Sequence, residues 1–544
     1  MTVEEIEIPH PFDRKFGYRL LEIMPGALTW AILILPFVLA FVSPFALAII
    51  IIAYLVAWFL RAMGQSTRVI QSYATMRRHQ ALDWTPLIAD LDDPKASLWR
   101  LDRVSEDLPE WHQKNLNMRS LQIETDTMRS KDIYQAVIIP TYNESREVLE
   151  LTVKHILKTN YDLKKIIVIM APEERDGGKA VGSCAQLVKK YGSKFYHMQS
   201  VPHPPIYEVG EIHAKGANDC YAAERLQSWL KKKKIPYSNV IVTLLDSDHH
   251  PDPNYFSELT YVYLMSPDRK HTSYQPISLL TSNIWDAPAP MRILALGTSF
   301  WMMIVSMRPH MLRNFAAHGQ GMDALVECNF WSKRSIVEDG HQFWRAYFKF
   351  DGKHEVYPIF SPIYQDAVLS DTYKKTFRAQ FLQLRRWAWG VSDIPYVITK
   401  GFFTKNNVPK LDLFMKTVRL IEGHLSWATA SLIVAFSASI PVYINPNGRE
   451  SFAANQLPVV ASYIQTVSLI GIFITLYLSM KLLPKKPARY HPSRHLSMII
   501  QWFFMPVTTI LFGSTAALVA QTRLMFGRYI GNFDVTDKVI KKDK

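Results

Sequence analysis

Cysteine is scarce in this sequence: its 544 residues include three, which are Cys184, Cys220 and Cys328. Their wide spacing suits neither a disulfide framework nor a zinc site, so we interpret them as small hydrophobic residues. The sequence also lacks internal repeats, low-complexity tracts, P-loop glycine spacing and a GxGxxG motif after a strand. The two common glycine-rich phosphate-binding loops are therefore excluded.

Charge is missing from four long stretches: 26–60, 424–448, 451–480 and 496–522. One membrane-spanning helix needs about 20 apolar residues. The first stretch is therefore predicted to form a hairpin of two spans, broken at Pro44 because proline ends or kinks a helix. It is too long for a signal peptide, and no cleavage site follows it. We predict one span in each of the next two stretches. The last contains Pro506 and is either one long span or a re-entrant hairpin.

Basic residues outnumber acidic ones, which gives a net charge of +14. Nucleic-acid binding is one interpretation, but the basic residues border the apolar stretches. They lie on both sides of the first hairpin, and five of them, without an acid, occupy 481–494. By the positive-inside rule, both ends of the hairpin and the domain after it are cytosolic. We therefore predict a multi-pass protein of an inner or plasma membrane that does not bind nucleic acid.

Residues 131–375 alternate apolar runs with helical patterns. The runs at 136–139, 166–170 and 240–245 predict strands of a mainly parallel α/β sheet, and 145–157 has helical spacing. The predicted segments are a cytosolic N-terminal segment (1–25), a transmembrane hairpin (26–60), a helical elbow (61–130), an α/β domain (131–375), interfacial amphipathic helices (376–420), a C-terminal transmembrane block (421–522) and a basic tail (523–544).

Asp246 and Asp248 directly follow the predicted strand 240–245, where open α/β sheets bind ligands. Carboxylates at positions i and i+2 can hold Mg²⁺ or Mn²⁺, and the metal can hold a diphosphate. His249 and His250 could add a ligand, but by default we interpret them as bordering this site. A second DxD pattern, at Asp90 and Asp92, follows no predicted strand, and we interpret it as chance.

Two further elements carry charge suited to chemistry. Glu338 and Asp339 open a helical segment, where catalysis competes with simple capping of the helix dipole. Lys215 can bind phosphate as a point charge, and Gly216 permits close approach of the backbone before a helix. Asn218 belongs to the same element. Neither pattern is decisive by itself.

A QxxRW motif lies on a predicted helix, where Gln383, Arg386 and Trp387 share one face. Arginine binds phosphate oxygens and an indole stacks on a sugar ring, but a tryptophan anchor at a membrane interface explains the pattern too. The apolar stripe of this helix suits the membrane surface and a cover for the sheet about equally.

In this order, the motifs resemble those of glycosyltransferase family 2, inverting enzymes with a GT-A fold, in the membrane-bound processive branch of cellulose, hyaluronan and chitin synthases. The resemblance covers about residues 131–391 and the flanking spans. It implies an α/β GT-A-type cytosolic domain, with a mainly parallel sheet, inserted between α-helical transmembrane segments.

The resemblance also implies residue roles. Donor binding falls to Thr141, Glu144, Glu173, Lys215, Asn218, Asp246, Asp248 and Arg386, with Asp246 and Asp248 as metal ligands. Glu173 stands where the family often has an aspartate pair. Asp339 corresponds to the general base, with Glu338 beside it, and Gln383 and Trp387 correspond to acceptor-binding residues.

The implied function is metal-dependent, inverting transfer from a nucleotide sugar, expected to be a UDP-sugar, using Mg²⁺ or Mn²⁺. The expected product is a β-linked polysaccharide built by repeated addition at the cytosolic face, with or without export. The other expected partners are the growing glycan, membrane lipids and unidentified secretion or accessory subunits. Two alternatives stay open: transfer of one sugar to a lipid acceptor (polyprenyl phosphate or diacylglycerol), and a transporter or channel with a non-catalytic sugar-nucleotide-binding domain.

Overall fold

A computed structural model describes residues 1–2, 4–103, 108–122, 126–205, 211–212, 214–446, 451–468 and 470–531. The chain forms two compact units. Unit 1 contains Met1–Glu7, Ser72–Leu279 and Val305–Gln365, and unit 2 contains Ile8–Gln71, Leu280–Ile304 and Asp366–Lys544. The predicted basic tail lies outside the described residues from position 532 onward.

The strands are β1 (Tyr134–Thr141), β2 (Ile166–Pro172), β3 (His197–Ser200), β4 (Val240–Leu244), β5 (His250–Pro251), β6 (Thr272–Leu279), β7 (Gly319–Gly321) and β8 (Glu355–Tyr364). The helices are α1 (Phe16–Val42), α2 (Pro44–Ala81), α3 (Trp84–Asp90), α4 (Pro94–Leu101), α5 (Glu110–Gln122), α6 (Arg146–Ile156), α7 (Lys179–Tyr191), α8 (Lys215–Lys233), α9 (Tyr255–Met265), α10 (Ala289–Ser306), α11 (Met322–Glu327), α12 (Glu338–Lys349), α13 (Tyr373–Ala388), α14 (Asp393–Ile398), α15 (Lys410–Phe436), α16 (Ile440–Ile444), α17 (Phe452–Ser468), α18 (Ile470–Leu482), α19 (Arg494–Ile500), α20 (Met505–Thr508) and α21 (Thr515–Met525).

Unit 1 is built on one mixed sheet with the strand order β3-β2-β1-β4-β7-β6-β8-β5. The three pairings among β3, β2, β1 and β4 are parallel. The apolar runs predicted β1, β2 and β4, whereas β3 was not predicted. In the other half, β6 is parallel to β8, whereas β7 is antiparallel to both β4 and β6, and β5 is antiparallel to β8. The described sheet is therefore mixed, with four parallel pairings and three short antiparallel ones. The strand β7 has only three residues, two of them glycine, so it has no hydrophobic periodicity from which it could be predicted.

The strands β1, β2 and β4 are mostly apolar because both faces of this part of the sheet are covered. Val137 and Ile139 of β1 pack with α6, α7 and α9 on one face. Ala136 and Ile138 point to the other face, where they meet α8 and α11. Ser145 caps the N-terminus of α6, the helix predicted over 145–157, since its hydroxyl accepts the Val148 N–H at 3.4 Å.

Unit 2 holds much of the apolar sequence. Six helices of the described chain are long and apolar enough to cross a membrane: Phe16–Val42, Pro44–Ala81, Ala289–Ser306, Lys410–Ile444, Phe452–Leu482 and Arg494–Met525. The first two meet at Ser43, where the hairpin was predicted to turn.

The helix α10 was not predicted as a candidate span. Its residues fall inside the predicted domain 131–375, yet Leu280–Ile304 belongs to unit 2. This candidate span could not be predicted from the sequence by the absence of charge, because Arg292 interrupts the apolar run of α10. That guanidinium is buried and satisfied, since it donates to the Ala287 carbonyl at 2.9 Å and to the side chain of Gln501. A charged group satisfied in this way is tolerated in an otherwise apolar helix.

The last apolar stretch forms the helical run Arg494–Met525, which includes α19, α20 and α21. Its end packs beside the beginning of α1. Arg19 Nη1 donates to the Leu524 carbonyl at 2.7 Å, and Tyr529 donates to the buried Glu22 carboxylate at 2.8 Å. Glu22 also pairs with Arg14 and Arg19, so this ionic network joins the first and last helices of unit 2.

Candidate active site

The carboxyl ends of β1, β2 and β4 lie side by side at one edge of the sheet. Glu173 N donates to the Thr141 carbonyl at 2.9 Å, which joins the chain after β2 to the end of β1. Leu245 N donates to the Ile138 carbonyl at 2.9 Å, so the chain leaves β4 beside β1. Asp246 follows at this edge, which is where open α/β sheets bind ligands.

Three predicted site residues meet at this edge. Lys215 Nζ lies 2.7 Å from Asp246 Oδ1 and 3.8 Å from Glu338 Oε1. Burial alone would lower the pKa of Lys215. The carboxylates of Asp246, Asp219, Glu338 and Asp339 outweigh it and raise that pKa above its usual value. The ammonium therefore stays charged, as a phosphate-binding group requires.

Gly216 makes this meeting possible. A Cβ at this position would overlap the Ser332 carbonyl and lie 3.1 Å from Glu338 Cβ. Glycine therefore lets the beginning of α8 pack directly against the segment before α12. The same close approach brings Lys215 and Glu338 to one place.

Asp246, Asp248 and His249 offer ligand atoms that lie within 4.8 Å of one another. The pair of carboxylates fits a hard divalent cation such as Mg²⁺ or Mn²⁺. His249 Nδ1 accepts the Asp246 N–H at 3.0 Å, so its proton resides on Nε2, 3.4 Å from Asp246 Oδ2. In this tautomer His249 orients Asp246. It also lies close enough to the two carboxylates to add a ligand, so both of its predicted roles stay open.

Glu338 and Asp339 begin α12 as predicted, and they differ in exposure. Glu338 is buried, whereas Asp339 is half-buried. Gly340 N donates to Asp339 Oδ1 at 2.7 Å, which is the capping role considered from sequence. Among the described residues, Asp339 Oδ2 has no hydrogen-bond partner. One carboxylate can therefore cap the helix and accept a proton.

Asp219 is a site residue that the sequence analysis missed. It lies one helical turn after Lys215 on α8, is fully buried, and neither of its carboxylate oxygens has a hydrogen-bond partner in the described part of the chain. Burial raises its pKa well above the usual value, Glu338, Asp246 and Asp339 add to the rise, and Lys215 opposes it. The i to i+4 spacing from Lys215 was the signal that could have found it.

The end of β1 and the loops after β1 and β2 hold three predicted donor-binding residues. Thr141 is buried, Glu144 Oε2 accepts the Tyr142 N–H at 2.8 Å, and Glu173 pairs with Arg175. The Arg175 guanidinium lies 4.3 Å from the centre of the Tyr142 ring. These contacts link the two loops into one ordered edge beside Asp246.

Asn218 does not join this group. It is fully buried, and its Nδ2 donates to the Ala171 carbonyl at 2.8 Å. In this position Asn218 ties α8 to β2. Its Oδ1 has no hydrogen-bond partner in the described part of the chain, and its predicted contact with a donor stays a prediction.

The QxxRW residues lie on α13, in unit 2. Gln383, Arg386 and Trp387 are all half-buried, and Gln383 Oε1 accepts from Gln380 at 3.1 Å. Phe377 of the same helix stacks edge-on against Phe512 at 5.8 Å. Through Phe377, α13 therefore packs on the last apolar helical run, and its placement at a membrane surface stays a prediction.

No family model matches the sequence, and no curated protein matches it. Among solved structures, it is similar to a mannosyltransferase from Pyrobaculum calidifontis in complex with GDP-Man and Mn²⁺, with 13% identity over 78% of this chain and 100% of that one, at a TM-score of 0.39. It is also similar to residues 1–349 of S. aureus TarS in complex with UDP-GlcNAc, with 13% identity over 74% of this chain and 95% of that one, at a TM-score of 0.34. These TM-scores and identities are too low to support a function, so a function can be argued only from the residues of this chain.

Proposed function

We propose that this protein is a membrane-bound glycosyltransferase that transfers a sugar from a nucleotide-sugar donor to an acceptor hydroxyl. The observation that carries the proposal is the meeting of Lys215, Asp246 and the Glu338-Asp339 pair at the carboxyl edge of the sheet. Lysine and a carboxylate pair that suits a divalent cation are what a diphosphate needs, and a half-buried carboxylate beside them is what an attacking hydroxyl needs.

The charge balance of the site supports a divalent cation. Asp219, Asp246, Glu338 and Asp339 all act electrostatically on the one ammonium of Lys215. A diphosphate would add more negative charge to this site. Asp246 and Asp248 would hold Mg²⁺ or Mn²⁺, which when bound stabilises the charge that develops on the leaving nucleoside diphosphate.

Lys215 and Asp339 have different roles in a single nucleophilic displacement at the anomeric carbon. Lys215 exchanges Asp246 for the diphosphate oxygens and stabilises the leaving group. Asp339 accepts the acceptor's proton at Oδ2 while Oδ1 keeps its bond to the helix backbone. Attack from the face opposite the leaving group inverts the anomeric carbon, so an α-linked donor gives a β-linked product.

We further propose a family 2 enzyme that uses a UDP-sugar and adds sugars repeatedly at the cytosolic face. The ordered motifs and the positive charge beside the candidate spans support this version. Arg386 and Trp387 would contribute to the donor and acceptor sides. Transfer of one sugar to a lipid is distinguished from it by the size of the product.

The test uses membranes that contain the protein and a panel of labelled nucleotide sugars, with Mg²⁺, Mn²⁺ or EDTA. We expect cation-dependent incorporation from one donor into material retained by size fractionation. A product that migrates as one sugar on a lipid would replace the polymer version. No incorporation from any donor would contradict the proposal.

A further inference from the structure

The N-terminal segment Met1–Glu7 belongs to unit 1, and its residues Met1 and Glu7 contact α12. Ile6 is fully buried, and the Met1 carbonyl accepts a hydrogen bond from Lys349 Nζ at 3.2 Å. Glu4 is exposed, whereas Glu7 is half-buried. The segment therefore presents one carboxylate inward and another to solvent, which provides a matched pair for experiment.

The inward carboxylate of Glu7 holds two partners. One oxygen pairs with Arg345 Nη1 on α12, and the other accepts the hydroxyl of Ser332. The Arg345 side chain is 1% exposed, and its Nη2 donates to the Cys328 carbonyl at 2.8 Å. A guanidinium buried to this degree is stable only when it is paired and hydrogen-bonded, so the contact with Glu7 is strongly favoured.

Both partners of Glu7, Arg345 and Ser332, belong to elements that position residues of the candidate active site. Arg345 lies two turns after Glu338 and Asp339 on the same helix. Ser332 belongs to the segment that packs on the beginning of α8, where its carbonyl faces Gly216. Next to it, the Trp331 carbonyl accepts from Cys220 Sγ at 3.1 Å. Glu7 therefore joins the element that carries the acidic pair to the segment against which Lys215 is placed.

We propose that Glu7 is a positioning residue: it clamps the segment 331–333 to α12 and so sets the separation between Lys215 and the Glu338-Asp339 pair. The consequence for turnover rests on the proposed function, whereas the clamp itself does not. Rates of transfer depend steeply on such separations because the base and the leaving-group stabiliser must act on one bound substrate.

The cysteines of the chain report on the clamp without any reference to activity. Cys184, Cys220 and Cys328 are all buried. Cys220 and Cys328 contact the clamped region through Trp331 and Arg345, whereas Cys184 lies on α7, outside it. Local opening of the clamped region therefore exposes two thiols and spares the third.

The first experiment compares maleimide labelling of the full-length protein with Glu7→Gln and Glu4→Gln, quantified for each cysteine by mass spectrometry. We expect Glu7→Gln to raise labelling of Cys220 and Cys328 about tenfold without changing Cys184, because local opening is limited to the clamped region. Glu4→Gln removes the same charge at an exposed position and should change none of them. Unchanged labelling, or an equal rise at Cys184, would overturn the clamp.

The second experiment measures donor kinetics of the same proteins. Glu7→Gln should lower kcat about tenfold with donor KM within about twofold, the pattern of an interaction needed in the transition state. The exchange Glu7→Arg with Arg345→Glu should recover kcat and low thiol labelling relative to either single reversal. A normal kcat in a Glu7→Gln protein with raised labelling would refute the positioning role. Wild-type protein without turnover would contradict the proposed function, and the labelling result would still decide the clamp.

Discussion

Two partly buried clusters of charged residues in unit 1 have opposite charge balances: one has an excess of cations and the other an excess of acidic groups. In the Asp126 cluster (Arg119, Asp126 and Arg269), two guanidinium groups share one carboxylate. Arg119 Nη1 lies 2.5 Å from Asp126 Oδ2, and Arg269 Nη1 donates to Oδ1 at 3.1 Å. In the site cluster (Lys215, Asp219, Asp246, Glu338 and Asp339), one ammonium faces four carboxyl groups.

The pKa values of the two clusters differ accordingly. Burial would raise the pKa of Asp126, but hydrogen bonds from Arg269 and Arg119 lower it far below its usual value. Burial raises the pKa of Asp219, and three neighbouring acids raise it further. The first cluster stabilises the fold without any further charge. The site cluster has more acidic groups than cationic groups, which is typical of a site that binds a cation.

The largest expected effect tests whether the site cluster is the reacting one. Asp339→Asn keeps the shape of the side chain and removes the proton acceptor, so transfer should fall by about 10²–10⁴-fold. Donor binding should persist, as measured by displacement of a labelled nucleotide sugar. Asp268→Asn makes the same change at an exposed position and should leave the rate unchanged. Near-normal transfer by Asp339→Asn would remove the proposed base.

The Asp126 cluster should respond in stability rather than in rate. Asp126→Asn leaves two guanidinium groups without their shared counter-charge, which should cost about 3 kcal/mol of stability. The pKa of Asp126 is lowered on folding, so its stabilisation is present at neutral pH and is lost as the pH falls. Thermal unfolding should therefore separate variant and wild type at pH 7 and bring them together in acid.

Glu110→Gln is the control for that measurement, since it breaks an ion pair with Lys114 in which both side chains are largely exposed. It should leave the unfolding temperature unchanged. If Asp126→Asn changed the unfolding temperature as little as Glu110→Gln, the Asp126 cluster would not be needed for the stability of the fold.

Cation binding is expected to stabilise only the site cluster. Mn²⁺ or Mg²⁺ at about 100 times its dissociation constant adds about 2.7 kcal/mol to the stability of the bound form. The thermal midpoint should therefore rise with the cation and fall back with EDTA. Asp246→Asn and Asp248→Asn should abolish the rise, whereas Asp126→Asn should keep it. A rise that survives both site variants would place the cation elsewhere.

The smallest expected effect concerns Asp219. Its raised pKa means that folding favours its protonated form, so at neutral pH it lowers stability, and this penalty disappears as the pH falls toward the usual aspartate range. Asp219→Asn should raise the melting temperature at pH 7 by roughly 2–4 °C, the shift that about 1 kcal/mol produces in a domain of about 150–250 residues. The gain should vanish in acid. A lower melting temperature at pH 7 would show that Asp219 is charged and paired.

Much of the site was predictable because its residues follow strong local patterns. The strand β4 is a continuous apolar run, and Asp246 and Asp248 come directly after it. Glu338 and Asp339 were placed correctly at the beginning of α12 by their helical context. Asp219 was missed because a single aspartate inside a helix normally faces solvent. Only packing against the sheet buries it.

The sequence by itself determined the apolar runs of the parallel strands, most of the long apolar helices and the order of the charged motifs. These follow from hydrophobic periodicity and from the positions of charge, which are local properties of the chain. Tertiary structure alone decided that β7 enters the sheet, that α10 belongs to unit 2, and that Gly216 brings Lys215 to Glu338. It also placed Glu7 against Arg345, 338 positions away. Such contacts form because residues that are far apart in the sequence are buried together, and a local sequence pattern cannot predict which distant residues will meet.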